Sequence, residues 1–184
     1  MEIELVRSRR RTLGMEIRGT KVIVRAPLFT SREEIDRFVN QHRKWIETHL
    51  KKAEAREQLK ETVHKLTPEE VRDLADRARK VIPERVAYYA PLVGVTYGRI
   101  TIRRQRSRWG SCSSKGNLNF NCLLMLTPPE VLDSVVVHEL CHRKHMNHSS
   151  RFYAEVLRVF PDYREQHRWL KEHGDELMAM LGGS

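Results

Sequence analysis

Two histidines one helical turn apart are the feature that most constrains this chain. The run His138–His142 reads HELCH, which has the form HExxH, and it follows the apolar run Val135–Val137, which predicts the buried face of a helix. Residues four apart on an α-helix point about 40° from each other, so both imidazoles face the same side. Two imidazoles placed in this way can bind one zinc ion, at about 2.0–2.1 Å from each nitrogen.

Between the two histidines lies a carboxylate. Glu139 is turned away from His138 by one step of about 100°, so it can reach a water on the metal without competing as a ligand. The metal lowers the pKa of that water while the carboxylate accepts its proton, which is the chemistry of a hydrolase. The motif therefore predicts Glu139 as a catalytic acid/base and one Zn²⁺ per chain, which imidazole ligands suit well.

A catalytic zinc site needs a third protein ligand, for which His145, His148 and Glu155 are the alternatives. On a continued helix, His145 would lie about 7.5 Å along the axis from the first two ligands, too far to share their metal easily. His148 is better placed than Glu155 if the chain turns back after the helix. Met146-Asn147 offers that turn, because Asn tolerates the left-handed conformation that ends helices.

A second stretch, Arg106–Ser113, reads RSRWGSCS and carries small residues that allow a close backbone approach. It could be an edge strand that pairs with an extended peptide, with Arg106 or Arg108 stabilising the oxyanion. The alternative is that Trp109 lies in the core and the arginines face solvent. Cys112 could be a fourth ligand, which would close the zinc site and make it structural.

Charge and cysteine content limit the classes of protein that remain. The 184 residues carry 34 Lys+Arg against 24 Asp+Glu, a formal net charge of +10, and the clusters Arg7–Arg11 and Arg103–Arg108 permit contact with DNA through a basic surface. No apolar stretch is long enough to span a membrane, and no apolar signal segment opens the chain. Three cysteines without a C-x-x-C pair do not form a secreted disulfide framework, so we expect a cytoplasmic protein without a membrane partner.

Hydrophobic periodicity predicts the order of the elements. Alternation before Pro27 indicates a β-hairpin or meander, and a long charged helix follows from about Ser31 towards Glu57. Capping boxes at Thr67–Glu70 and Thr127–Glu130 begin two further helices, with two or three strands between them. Two last helices are expected at Ser150–Val159, capped by Ser149 or Ser150, and at Asp162–Met180.

These elements predict an α+β fold in which helices pack on a small antiparallel sheet. The predicted division is an N-terminal hairpin or meander with its long helix (residues 1–66) and a core with the HExxH helix (residues 67–184). One continuous domain over residues 1–184 is the alternative.

Three segments carry a resemblance to a known family: Arg106–Ser113, Asn119–Asn121, and the run VVHELCHRKHMNHSSRF that ends at Phe152. They resemble the YgjP-like metallopeptidases, a family related to the SprT/Spartan-type zinc proteases, and the resemblance covers nearly the whole chain. The family often has Trp after this Phe, whereas here Tyr153 follows, and we expect that change to alter the lining of the pocket.

The resemblance implies a zincin-like zinc peptidase with a protein or peptide substrate. It implies His138, His142 and His148 as zinc ligands and Glu139 as the catalytic acid/base. Arg106, Arg108, Trp109 and Tyr153 are possible substrate or oxyanion contacts, and Tyr163 is a further possible oxyanion donor. The alternative functions are a nucleic-acid-associated protein with structural zinc and a DNA-recruited protease of the SprT/Spartan kind.

Overall fold

The computed structural model describes residues 3–182, apart from the side chain of Lys60. The chain divides into two units, the first ending at Thr62 and the second beginning at Val63. The sequence predicts the division after residue 66. The two predicted ranges also contain four terminal residues outside the described part, and the division stays a prediction. Within residues 3–182, no helix is both long and apolar enough to cross a membrane.

The first unit is a three-stranded sheet with two helices. Its elements are β1 (Ile3–Ser8), β2 (Gly14–Arg18), β3 (Lys21–Pro27), α1 (Arg32–Gln41) and α2 (Arg43–Thr62). β2 and β3 form the predicted hairpin, in which Gly19 takes a φ of 56° at the turn. β1 pairs in parallel with the other side of β3, so the strand order is β1-β3-β2. The sheet is therefore mixed, where a hairpin or meander predicts only antiparallel pairs, because alternation assigns faces but not neighbours.

The single long helix expected from Ser31 is in fact two helices separated at His42. His42 has φ −103° and ψ 11°, outside the helical region, and its Nδ1 lies 2.8 Å from the carbonyl oxygen of Phe38. Ser31 caps α1, which begins where the sequence predicts a helix start, because the Ser31 hydroxyl accepts the amide of Glu34 at 3.2 Å. The break lets both helices contribute to one core, which contains Val22, Val24, Ala26, Ile35, Val39 and Ile46.

The second unit combines a small sheet with four helices. Its elements are α3 (Pro68–Val93), β4 (Ile100–Arg103), β5 (Gly110–Cys112), β6 (Leu118–Asn121), a 3₁₀ turn (Cys122–Leu126), α4 (Pro129–Cys141), α5 (Ser150–Val159) and α6 (Tyr163–Met180). The strand order is β4-β6-β5, with β4 parallel and β5 antiparallel to β6. The predicted α+β class is confirmed, but the sheet is mixed and not antiparallel.

Two helix starts show where local signals succeed and fail. Thr67 and Glu70 form the predicted capping box, and α3 then passes through Pro83 and ends at Gly94, which has a φ of 76°. The capping box predicted at Thr127 is wrong, since Pro128 precedes α4 and no side chain caps it. The Thr127 hydroxyl donates instead to the carbonyl of Leu124 at 2.9 Å.

A partly buried ion pair fixes α4, which carries the HExxH motif, against α3. Nε and Nη2 of Arg85 donate to the two carboxylate oxygens of Asp133 at 2.7 and 2.5 Å, and the Tyr89 hydroxyl donates to the same carboxylate at 3.1 Å. Paired guanidinium and carboxylate groups of this kind hold a defined geometry. From Val131 to Cys141 every residue of α4 except His138 is buried, so this helix is the centre of the unit.

Candidate metal centre

Three imidazoles converge at the end of α4. Nε2 of His138 lies 3.2 Å from Nε2 of His142 and 3.1 Å from Nε2 of His148. All three ligand nitrogens lie within 4.8 Å of one another. Two nitrogens bound at 2.0–2.1 Å to a tetrahedral ion lie about 3.3 Å apart, so these residues fit a zinc-sized ion.

Hydrogen bonds to the opposite ring nitrogens orient two of these imidazoles. Nδ1 of His142 lies 3.0 Å from the carbonyl oxygen of His145, which can only accept, so Nδ1 carries the proton and Nε2 keeps a lone pair. Nδ1 of His138 lies 2.8 Å from the Tyr163 hydroxyl. Partners of this kind fix the tautomer and orientation of metal-binding histidines.

Burial favours the neutral form of two of the ligand rings. Burial, together with the positive charges that His142 and His148 could carry, lowers the pKa of His138 to about 3. Burial also lowers the pKa of His142. A neutral imidazole is the form that binds a metal ion.

Phe152 packs against all three histidines. This fully buried ring lies with its centroid 4.8, 4.6 and 5.0 Å from those of His138, His142 and His148. Phe152 lies on α5, and it reaches the three histidines because α5 folds back against α4. Ser149 caps that helix by accepting the amide of Phe152 at 3.5 Å, so the cap brings His148 and Phe152 to the site together.

The turn between α4 and α5 is formed by different residues from those that the sequence predicts. Amides of Arg143, Lys144 and His145 donate to carbonyls of Leu140 and Cys141, which tightens the helix end. No residue other than glycine has a positive φ within residues 3–182, so Asn147 does not supply a left-handed turn. The chain nevertheless reverses and brings His148 to the first two histidines.

Glu139 is buried beside the triad and has an unpaired oxygen. Glu139 is only 5 % exposed, and its Oε2 has no hydrogen-bond partner among the described residues. Burial raises the pKa of Glu139 to about 8, while the positive charge of Arg108 opposes that shift. A buried carboxylate without a partner is costly to the fold, which is typical of a functional group.

β5 passes directly over the Glu139 carboxyl group. A Cβ at Gly110 would lie 2.6 Å from Oε1 and 2.7 Å from Cγ of Glu139. Both distances are shorter than non-bonded contacts of a Cβ atom. Only glycine therefore fits at position 110 without displacing this side chain. Gly110 and Glu139, which are 29 positions apart in the sequence, are in direct contact in the fold and join the two motifs.

Asn121 organises the segment before β5. Its side-chain amide donates to the carbonyls of Gln105 and Arg108 at 2.6 and 3.0 Å, and its oxygen accepts the amide of Leu123 at 3.1 Å. Its backbone amide donates to the carbonyl of Trp109 at 2.8 Å. Asn121 is 1 % exposed, so these bonds replace water and hold the segment in place.

The predicted substrate contacts divide into two pairs. Arg108 is exposed and acts on Glu139 through its charge, and the Tyr153 ring lies 6.2 Å from that of His148. Arg106 instead donates to the carbonyl of Gly182, and Trp109 packs against the core and Gly174 of α6. The structure thus brings Arg108 near Glu139 and Tyr153 near His148, whereas the contacts of Arg106 and Trp109 lie elsewhere.

The other ligand alternatives lie outside the triad. Glu155 accepts from Lys144 and Arg158, each at 2.7 Å, and these bonds hold the pKa of Glu155 at about 2. His145 contributes its carbonyl and not its ring. Among the described residues, the thiol of Cys112 is not in the group that could hold a metal ion. Tyr163, considered as an oxyanion donor, is buried and bonded to His138.

Sequence reasoning missed the contacts of Gly110, Asn121 and Phe152 with their partners. Two signals were available: glycine inside the RWGSCS strand indicates a close approach, and Phe152 and Val156 have the spacing of a buried helix face. Neither signal names the partner, which only the fold identifies.

The solved structures that resemble this chain include two metallopeptidase zymogens. Abylysin from Pyrococcus abyssi is 23 % identical, with a TM-score of 0.46, over 50 % of this chain and 94 % of that chain. Jannalysin from Methanocaldococcus jannaschii is 22 % identical, with a TM-score of 0.45, over 50 % of this chain and 96 % of that chain. No curated protein matches the sequence.

The family comparison covers most of the chain. The family described as "YgjP-like, metallopeptidase domain" matches residues 11–72 and 64–173, which include the hairpin, β5 and the three histidines. This chain belongs to the YgjP-like metallopeptidase family.

Proposed function

We propose that this protein is a zinc-dependent peptidase in which His138, His142 and His148 hold one zinc ion and Glu139 is the general base and acid. The observation that carries the proposal is the buried, unpaired carboxylate of Glu139 beside three converging imidazoles. Zinc bound there supplies a Lewis acid that acidifies water and polarises a peptide carbonyl.

The residues of the chain perform the proton transfers. A cation held by the imidazoles would favour the ionised form of Glu139. In that form Glu139 accepts a proton from the attacking water as the new C–O bond forms, and it delivers that proton to the peptide nitrogen as the C–N bond breaks. Arg108, whose positive charge already acts on Glu139, stabilises negative charge that develops on the carbonyl oxygen. Glu139 ends the cycle in its starting form.

The substrate is a protein or peptide in an extended conformation. β5 lies at one edge of its sheet and passes over Glu139 at Gly110, so a peptide added beside β5 would meet the carboxylate. Tyr153, which is 39 % exposed next to His148, is a further surface for substrate side chains.

A structural zinc is the less favoured alternative. A closed structural site takes four protein ligands, and the group within the described residues offers three. Burial raises the pKa of the Cys112 thiol, which opposes the thiolate form that a fourth ligand requires. The proposal includes a cytoplasmic location, supported by the free thiols of Cys112, Cys122 and Cys141.

The test combines metal content with peptide cleavage. We expect the purified protein to contain one zinc per chain and to cleave unfolded casein, with loss of cleavage in a chelator and recovery on zinc addition. Glu139→Gln keeps the zinc but lowers kcat by a factor of about 10² or more. Undiminished cleavage by the Glu139→Gln protein would remove this residue from the mechanism.

A further inference from the structure

Positive charge in the first unit is concentrated on its sheet. Residues 3–27 contain seven Lys or Arg against two Asp or Glu, whereas residues 28–62 contain eight against seven. The two helices are therefore nearly neutral, and the sheet with its connections carries almost all of the excess. Such a gradient within one small unit attracts polyanions to the sheet.

Two exposed segments leave the sheet at the same end. Ser8, the last residue of β1, pairs with Pro27, the last residue of β3, and Gly14, the first residue of β2, pairs with Arg25. The β1–β2 connection, with the sequence RRRTL, and the segment after β3, with the sequence LFTS, therefore both begin at this end. We call these residues, 9–13 and 28–31, the arginine–phenylalanine end.

An aromatic ring is presented at this end by an ordered loop. Phe29 is 98 % exposed and Leu28 is 46 % exposed. Nη1 of Arg7 donates to the carbonyls of Pro27, Leu28 and Thr30 at 3.2, 3.0 and 2.8 Å. One guanidinium thus holds the loop from within, so the exposure of Phe29 does not come from a loose chain, and both faces of its ring are open to a ligand.

Unpaired cations accompany the ring. Within the part of the chain that the structure describes, Arg9 and Arg11 are exposed and have no hydrogen-bond or ion-pair partner. The Arg10 guanidinium lies over Gly14, where a Cβ would come within 2.7 Å of its Nη2, and its buried Nε has no partner. These arginines are available for phosphate groups.

The basic surface continues along the outer face of the sheet. Val22, Val24 and Ala26 pack on the helices, so Lys21, Ile23 and Arg25 lie on the other face of β3, where Ile23 is 7 % exposed and pairs with Glu4 of β1. Arg18 pairs across the hairpin with Lys21, and Arg18 and Arg25 share the single carboxylate of Glu16 at 3.0 and 2.8 Å. The cations extend over a strand length of about 20 Å.

We propose that this sheet binds single-stranded nucleic acid, with a base stacked on Phe29 and the phosphates along Arg9, Arg11 and the outer face. A basic track combined with an open aromatic ring is how proteins hold single strands without reading their sequence. An anionic membrane is the alternative occupant, but it offers no flat ring that could stack on the open ring of Phe29. The positive charge at both ends of the sheet favours a polymer.

The test measures binding of a fluorescein-labelled 20-nucleotide oligothymidylate to the full chain by anisotropy between 50 and 200 mM salt. We expect salt-dependent binding, weaker binding of a duplex of the same length, and no change in a zinc chelator. Arg9→Ser with Arg11→Ser should reduce the slope of log K against log salt by about 1.4, as expected for two lost phosphate contacts. Lys51→Ala with Lys52→Ala on α2 removes the same charge from the same unit and should leave the slope nearly unchanged.

Phe29→Leu separates the two kinds of partner, because leucine keeps an apolar tip but has no ring to stack. We expect this variant to bind the oligonucleotide about 5- to 150-fold more weakly. Equal loss in the Lys51/Lys52 control, unchanged binding by Phe29→Leu, or no binding at 50 mM salt would overturn the proposal. The proposal would also be overturned if the protein bound phosphatidylcholine–phosphatidylserine vesicles but not the oligonucleotide, and if Phe29→Leu still bound those vesicles.

Discussion

Gly110 and Glu139 are packed so closely that a single methyl group at position 110 would overlap the Glu139 carboxyl group. The Cβ of any larger residue would lie 2.6 Å from Oε1 and 2.8 Å from Cδ. β5 therefore forms the wall that sets the position of this carboxylate, and the carboxylate is fixed by backbone and not by a hydrogen-bond partner. This contact joins the two sequence motifs into one site.

Replacing Gly110 by Ala tests that contact. The added methyl group displaces Glu139 or β5, so we expect kcat/KM for peptide cleavage to fall by about 100-fold, as for a misplacement of about 1 Å. Zinc content should be unchanged, because the atoms nearest to position 110 belong to Glu139 and not to a histidine. Overpacking should also lower the free energy of unfolding by about 1–3 kcal/mol.

The control for Gly110→Ala is Lys115→Ala, an exposed substitution in the turn after the same strand. It should leave both activity and unfolding unchanged. A Gly110→Ala protein that cleaves at the original rate would show that the position of Glu139 does not depend on β5.

Replacing His148 by Ala tests the third metal ligand. Two imidazoles remain, so we expect zinc affinity to fall by about 100-fold or more, measured by competition with a chromophoric chelator. His145→Ala is the matched control, because only the backbone carbonyl of His145 contacts His142. If His148→Ala kept one tightly bound zinc per chain, the third ligand would have to be sought elsewhere.

Replacing Tyr163 by Phe removes one hydroxyl group and keeps the ring. Nδ1 of His138 then loses its partner at 2.8 Å, and we expect zinc affinity to fall 10- to 100-fold. The metal-free protein should lose only about 1 kcal/mol of stability, measured by urea unfolding in chelator. Tyr153→Phe, which removes a hydroxyl with no bond to the triad, should bind zinc normally, and an equal loss there would contradict the assignment.

The lowered pKa of Glu155 predicts that the stability of the fold depends on pH. Hydrogen bonds from Arg158 and Lys144 hold its pKa at about 2 in the folded chain, below the value of about 4.3 expected in the unfolded chain. A lowered folded-state pKa stabilises the fold above the unfolded pKa, and that contribution is lost as the pH falls towards 2. Glu155→Gln should therefore cost about 1–2 kcal/mol at pH 7.

The difference between the Glu155→Gln protein and the original should shrink between about pH 5 and about pH 2. Urea unfolding in the presence of chelator measures it without a contribution from metal binding. Glu172→Gln, an exposed change on α6, is the control and should have little effect at any pH. A difference that stays constant with pH would show that the ion pairs of Glu155 do not stabilise the fold.

Local signals predicted the elements that carry the metal site. The apolar residues before His138 predicted α4, the Thr67–Glu70 capping box is present, and α5 has the predicted limits Ser150–Val159. The failures are also local. Nothing in the residues around His42 marks a break, since no glycine or proline lies there, and the break follows from packing of both α1 and α2 on one sheet.

Strand order could not be predicted. In each unit the last strand lies between the first two, which makes one pair parallel and one antiparallel. Alternation of apolar residues indicates which side chains share a face of the sheet. Every strand order that keeps those faces is equally compatible with the alternation. For the same reason the sequence identified RWGSCS as a strand without showing that it borders Glu139.

The sequence by itself determined the spacing of His138 and His142 and the position of Glu139 between them, because a helix repeats every 3.6 residues wherever it is folded. The tertiary structure alone decided that His148 returns to them, that Tyr163 orients His138 and that Gly110 covers the carboxylate. Those contacts join residues 10 to 29 positions apart, across turns whose direction depends on how the apolar faces of separate elements pack.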